Sequence, residues 1–353
     1  MSLFSSPAFE GHEAVHAFSD QASGLRAIIA IHSTARGPAA GGCRMFAYPD
    51  DQAALDDALR LSRAMSHKNA VADLDLGGGK AVILGDPRAL KSGPLFEAFG
   101  RGVEALGGRY WSAEDVGVSP ADLAYARKTT RYVAGLEGHG AASGDPSPFT
   151  AEGVKRGIEL CVRRALGRDL DGVTVAIQGV GHVGAWLADK LAGAGARLVV
   201  TDVDVEAAAV VAARTGAAVV GPDAIFDVDA EVFAPCAMGG AISADTLGRL
   251  KVRVVAGGAN NQLADAEAGV LMRQRGILYA PDFVINGGGI INVAGEIRAL
   301  QRSEAFDPAW VEAKLGRLME TLNEVLDRAE AERRPPHEVA VDIARARIAA
   351  AKS

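Results

Sequence analysis

The chain has little of what would place it outside the ordinary globular class. No apolar run reaches the roughly 18 residues that a membrane span requires. The opening residues, MSLFSSPAFEGHE, lack a basic stretch followed by an apolar block, so no secretory leader is expected. Cysteine is scarce. Cys43, Cys161 and Cys236 are odd in number and far apart. That argues for a reduced cytoplasm and against a disulfide framework or a zinc site, and no metal is expected. Basic residues are not in excess: 37 Lys and Arg stand against 44 Asp and Glu, a net charge of −7. Neither nucleic acid nor a membrane is therefore an expected partner. Internal repeats and low-complexity tails are absent too.

What is present points to an α/β enzyme in two parts. A chain of 353 residues is too long for one ordinary core. Residues 1–135 read as an α+β domain. LRAIIAIHS (25–33) is a β-rich run, and residues 52–66 and 94–106 carry apolar residues at helical spacing. NAVADL (69–74) and KAVIL (80–84) read as strands on either side of three glycines. Ser119-Pro120 reads as a helix start. GLEGHGAASGDPSP (135–148) is dense in Gly, Pro and Ser and reads as a hinge or cleft loop, after which Thr150 is expected to cap a helix. From residue 173 short apolar strands alternate with helices, the mark of a doubly wound parallel sheet. The expected boundaries are 1–135 and 136–332. A last helix, about 333–353, packs back on the first domain, and a cleft separates the two domains.

The second domain carries a dinucleotide fingerprint. Gly179, Gly181 and Gly184 form G-x-G-x-x-G after the strand VTVAIQ and at the start of a helix. The first glycine suits a tight turn, the second a close approach to a pyrophosphate, and the third close packing of helix on strand. Val180, His182 and Val183 complete the loop, although a solvated His182 is the plainer reading. Asp202 ends the next strand, where a carboxylate would accept ribose hydroxyls and repel a 2′-phosphate. Val203 follows it, and no Arg or Lys is at hand to receive that phosphate. NAD, and not NADP, is the expected cofactor.

Lys68, Lys80 and Asp115 form the second group. Lys80 follows Gly77-Gly78-Gly79, where backbone can come close to a ligand. A lysine in a tight, partly desolvated place can lose its proton near neutral pH. Taken singly, each residue could be an ordinary solvated charge. Beside a dinucleotide fold they suit one reaction: one lysine binds a substrate carboxylate, and the other lysine and the aspartate handle protons.

Eight ordered blocks between residues 37 and 296 carry a resemblance. They are GPAAGGCRMFAYPDD, ALRLSRAMSHKNAVADLDLGGGKAVILGDPR, GGRYWSAEDVG, GDPSPFTAEGV, VAIQGVGHVG, VFAPCAMGGAI, VVAGGANNQLAD and GILYAPDFVINGGGIINVAGE. The chain resembles the glutamate/leucine/phenylalanine/valine dehydrogenase family. The resemblance implies NAD-dependent oxidative deamination of a hydrophobic L-amino acid to a 2-oxo acid and ammonia, in a cytoplasmic homo-oligomer. It implies that Lys68 binds the α-carboxylate, that Lys80 is the acid/base that activates water, and that Asp115 is its partner near the amino group. Gly41, Gly42 and Ala113 would line the substrate site. Thr150, Ala237 and Met238 would contact cofactor, and Asn260 and Asn261 the nicotinamide ribose and the substrate amino side. Ile290 and Val293 look like the branched-chain enzymes, whereas Ala40 stands where those enzymes place Leu. Gly287 and Gly295 are further departures. A branched-chain substrate is expected, with an aromatic one as the alternative. A non-catalytic NAD-binding regulator is the other class, and the presence of both lysines and Asp115 speaks against it.

Overall fold

The computed structural model describes residues 3–136, 138 and 140–351. Contacts divide the chain into two units. Unit 1 comprises Met1–Asp145, Asn292–Val311 and Ala344–Ser353; unit 2 comprises Pro146–Ile291 and Glu312–Ile343.

Unit 1 opens with β1 (Ala14–Asp20), β2 (Leu25–Ser33) and β3 (Ala39–Phe46). Then come α1 (Asp51–Val71), β4 (Gly77–Leu84), α2 (Pro87–Leu90), α3 (Gly93–Glu104), β5 (Tyr110–Glu114) and α4 (Pro120–Arg127). The sheet runs β1-β2-β4-β3-β5. β1 and β2 are antiparallel, as are β2 and β4, while β3 is parallel to both β4 and β5. Alternation along the strands builds a core on each face. Leu25, Ile29, Ile31, Cys43, Met45, Ala81 and Ile83 meet Leu95, Phe96 and Phe99 of α3 and Leu123 of α4. Ala30 and Val82 point the other way and meet Ala54, Ala58 and Leu59 of α1. Ser119 caps α4 in a reciprocal box with Asp122, as the Ser-Pro signal implies.

Unit 2 contains α5 (Ser147–Leu166), β6 (Thr174–Gln178), α6 (His182–Gly193), β7 (Arg197–Thr201), α7 (Val205–Thr215), β8 (Ala218–Val219) and β9 (Val232–Pro235). It continues through α8 (Ala244–Arg249), β10 (Val254–Val255), α9 (Ala266–Gln274), β11 (Leu278–Tyr279) and α10 (Asp282–Ile285). Its parallel sheet has the order β11-β10-β9-β6-β7-β8, so the winding direction reverses between β6 and β9. This is the expected doubly wound α/β sheet. Three closing helices, α11 (Gly288–Arg302), α12 (Pro308–Glu332) and α13 (Pro336–Ala350), contribute residues to both units.

Two expectations are corrected. NAVADL is not a strand: α1 runs on to Val71, and Asp73 at φ 52° turns the chain out of it. The β-strand begins instead at Gly77 and includes the glycines. Thr150 does not cap α5, which starts at Ser147 with Pro148 in its first turn; the Thr150 hydroxyl donates to the Pro146 carbonyl at 3.1 Å. Within unit 1, Arg347 of α13 donates to the carbonyls of Ala70 and Val71, both at 3.1 Å, and closes the C-terminus of α1. Among the described residues no helix is long and apolar enough to cross a membrane.

Candidate active site

The centre of unit 1 is β4, and its three glycines are there for the protein's own packing. A Cβ on Gly77 would lie 2.0 Å from the Ser33 carbonyl oxygen. One on Gly78 would lie 2.1 Å from the Ser66 nitrogen of α1, and one on Gly79 2.7 Å from the Tyr110 ring. The expectation that these glycines open the backbone to a ligand is therefore revised: strand, helix and ring already occupy the space. Lys68 lies on the last turn of α1, not at a strand end. Its neighbour Asn69 is buried and donates to the Gly77 carbonyl at 2.5 Å and the Ala40 carbonyl at 3.4 Å, which ties α1 to β4 and β3.

Lys80 is 5 % exposed, and its Nζ lies 2.5 Å from Asp115 Oδ2. Asp115 follows β5 directly. Gly42 makes room for it, since a Cβ there would stand 2.8 Å from the Asp115 Cβ. Ala40, Gly41 and Gly42 pair with Trp111, Ser112 and Ala113 across β3 and β5, so these candidates share one patch of sheet with the ion pair. Ala40 is buried. Val293, on α11 in unit 1, is buried as well.

Two residues missed in the sequence stand behind this pair. Arg44 Nε donates to the same Asp115 Oδ2 at 3.0 Å, and its Nη1 donates to Asp57 Oδ2 at 3.0 Å. Asp57 also accepts from the Tyr48 hydroxyl at 2.7 Å and from Arg60 at 2.6 Å. Burial by itself would raise the Asp115 carboxyl. The charges of Lys80 and Arg44 outweigh it and hold the group well below the usual carboxylate range. The period of two along β3 puts Arg44 on the face of Ala40 and Gly42, a signal available from the sequence; the reach of Asp57 from α1 is not.

In unit 2 the glycine turn joins β6 to α6. Gly179 has φ +93°, and a Cβ there would meet Ala237, which follows β9, at 2.8 Å. A Cβ on Gly184 would lie 2.0 Å from the Gly179 carbonyl oxygen. Gly181 differs: nothing stands within 4 Å of its missing Cβ, so its backbone faces open space at the helix N-terminus. That arrangement fits a dinucleotide pyrophosphate. Asp202 follows β7 and accepts from the Val180 N–H at 2.7 Å, which anchors the turn. His182 and Val203 are exposed, as is Met238; Val183 is half-buried. No Arg or Lys lies between Asp202 and Glu206.

Asn260 and Asn261 lie on the loop after β10 and are exposed, Asn261 at φ 53°. Asn286, unnoticed in the sequence, is buried and donates to Asn260 Oδ1 at 2.9 Å. Thr150 and Ile290 belong to this unit as well; a Cβ on Gly289 would stand 2.5 Å from Thr150 Oγ1. Gly287 sits against Val284 and Leu318, and Gly295 against Phe306 and Val311, so both departures serve packing. Glu296 was also missed. It is fully buried in unit 1 and accepts from the N–H groups of Gly135, Leu136 and Ser143 and from the Ser143 hydroxyl. It pins the stretch read as a hinge, in which Glu137 and His139 lie outside the described residues. Cys43 and Cys161 are buried, and burial pushes the Cys236 thiol up to about 11. Among the described residues no cluster of His, Cys, Asp or Glu could hold a metal ion.

A doubly wound parallel sheet with this turn, and a separate unit with a buried lysine–aspartate pair, describe a dehydrogenase. The chain belongs to the glutamate/leucine/phenylalanine/valine dehydrogenase family. Residues 11–132 match its dimerisation domain, and residues 203–353 match the Glutamate/Leucine/Phenylalanine/Valine dehydrogenase domain. A leucine dehydrogenase of Thermoactinomyces intermedius is 50 % identical over 288 residues, 81 % of this chain and 79 % of that one. A phenylalanine dehydrogenase of Bacillus thermotolerans is 42 % identical over 325 residues, 90 % and 84 % of the two chains. The crystal structure of L-tryptophan dehydrogenase from Nostoc punctiforme superposes with a TM-score of 0.83 at 36 % identity, over 97 % of each chain. The resemblance read from the eight motif blocks is thus borne out, and with it the reading of an amino acid dehydrogenase. The family draws in general on pyridine nucleotides and acts on small molecules.

Proposed function

We propose that this chain catalyses the reversible oxidative deamination of a branched-chain L-amino acid to its 2-oxo acid, with release of ammonia and reduction of NAD⁺. The observation that carries this reading is Lys80, a lysine 5 % exposed with its Nζ 2.5 Å from a carboxylate. Burying such a pair is costly, and a fold seldom keeps one without use for it. Lys68, on the helix end tied to β4, binds the α-carboxylate. Lys80 takes the proton from the attacking water, and Asp115 exchanges protons with the amino group. Ala40, Gly41, Gly42, Ala113, Asn260, Ile290 and Val293 shape the substrate site.

Bound NAD⁺ would supply the hydride acceptor. Gly179 to Gly184 would hold its pyrophosphate, and Asp202 its adenosine ribose, with Val203 leaving a 2′-phosphate unanswered. Thr150, Ala237, Met238 and Asn261 complete that surface. The preference for an aliphatic side chain rests on the higher identity to a leucine dehydrogenase, 50 % against 42 % for a phenylalanine dehydrogenase. The three free thiols suit a cytoplasmic enzyme. The matched dimerisation domain supports a homo-oligomer.

The test is NADH formation from a panel of L-Leu, L-Val, L-Ile, L-Phe and L-Trp, repeated with NADP⁺. We expect the highest kcat/KM for a branched-chain substrate with NAD⁺. An aromatic amino acid in first place would overturn the substrate, equal use of NADP⁺ would overturn the cofactor, and no turnover at all would overturn the reading as a whole.

A further inference from the structure

The proton chemistry assigned above leaves a cation unexplained. Arg44 is mostly buried, which is costly for a guanidinium unless its donors are met. They are met in a particular way. Nε reaches Asp115 Oδ2 and Nη1 reaches Asp57 Oδ2, each at 3.0 Å. Asp115 Oδ2 thus receives two cations at once, Lys80 and Arg44. Asp57 is itself held from three sides, by Arg44, Tyr48 and Arg60. A rigid planar fork fixed between two carboxylates can set the position of one relative to the other; a flexible lysine cannot.

We infer that Arg44 is a positioning residue for Asp115: it keeps that carboxylate charged and aimed at Lys80, while Asp57 and Tyr48 hold Arg44 in place. The inference rests on the roles proposed for Lys80 and Asp115. The groups around Asp115 support it. Lys80 on β4 and Arg44 on β3 are its cationic neighbours, and Asp57 on α1 lies beyond Arg44. The Cys43 thiol and the Tyr110 phenol lie near as well, and burial keeps both neutral. Burial works against the carboxylate charge, so Arg44 shares with Lys80 the task of preserving it.

A cation beside Asp115 disfavours a proton on its carboxyl. Removing Arg44 lets that carboxyl take up a proton at higher pH, and the acid limb of the pH profile reports it. Arg44→Gln should therefore move the acid limb of kcat/KM for L-Leu oxidation upward by about 1–2 pH units. Arg44→Lys should leave the limb in place while lowering kcat, because one ammonium retains the charge without bridging both carboxylates. A uniform loss at every pH in Arg44→Gln, with the limb unmoved, would show a merely structural role and overturn the inference. If Arg44→Gln does not fold, Arg44→Met takes its place in the same assay: a limb displaced upward upholds the inference, and an unmoved limb overturns it. Asp115→Asn in the same assay separates the two levels. Full turnover there would sink the proposed role of Asp115 itself. Lost turnover there, with a fixed limb in Arg44→Gln, would sink only the inference about Arg44.

Discussion

His67, one residue before Lys68 on α1, should make the fold sensitive to mild acid. Its imidazole is pushed down from 6.5 to about 4, first by burial, then by His32, Arg345 and Arg63. A histidine held neutral in the fold binds fewer protons there than in the unfolded chain wherever pH lies between those two values. Its contribution to stability is therefore complete above 6.5, is lost as pH falls through the window, and stops changing below about 4. Between about pH 8 and pH 5 the loss from this one side chain comes to about 2 kcal/mol. His12, His16 and His337 are lowered as well, so the wild-type slope contains more than His67. The difference from His67→Gln isolates it. Glutamine keeps a polar group on a helix that tolerates it and cannot titrate. Thermal unfolding by circular dichroism at the two pH values should show the wild type losing about 4–8 °C more than the variant. Identical acid slopes in the two proteins would refute the reasoning, because the ring would then be protonated as readily in the fold as out of it.

Lys80→Ala should lower kcat by about 10²–10⁴-fold while NADH binding, followed by fluorescence, survives; a variant keeping more than about a tenth of wild-type kcat would remove this lysine from proton transfer. Asp202→Ser combined with Val203→Arg should raise NADP⁺ use relative to NAD⁺, measured as the ratio of kcat/KM values, and an unchanged ratio would place the ribose elsewhere. Ala40→Leu should reduce kcat/KM for L-Phe more than for L-Leu, since it fills the space a ring needs; equal losses would take Ala40 out of the pocket. Gly78→Ala should cost about 1–3 kcal/mol or more, because its Cβ would sit 2.1 Å from the Ser66 nitrogen and α1 must shift. An unaltered melting temperature would contradict that geometry.

Local periodicity made most of the architecture legible. β2 (Leu25–Ser33) falls where the sequence places it, as does the run of strands and helices after residue 173. The reading failed where a local pattern had two solutions. NAVADL reads as a strand from its place before the glycines, yet Asn69, Ala70 and Val71 continue α1, as its alanines favour, and Asn69 crosses to the carbonyls of β3 and β4. The glycines after it were visible as a place where no side chain fits, but which neighbour fills the gap is a matter of packing between elements distant in sequence. In the candidate site, Lys80, Asp115 and the glycine turn could be found by motif. Arg44 could be placed on its face of β3 by periodicity; Asp57, Asn286 and Glu296 could not, since each acts through a partner brought near only by folding.

Arg347 caps the helix that bears Lys68, and this has a consequence for biosynthesis. The Ala70 carbonyl also accepts locally from the Asp73 N–H at 3.1 Å, but Val71 emerges from the ribosome long before Arg347, which answers its carbonyl. Until α13 is released, the last turn of α1 lacks the Arg347 contacts and can fray, carrying Lys68 with it. The end of this helix gains those two contacts only once α13 is translated. An abortive product that stops short of Arg347 would therefore lack this closure of the helix that bears Lys68.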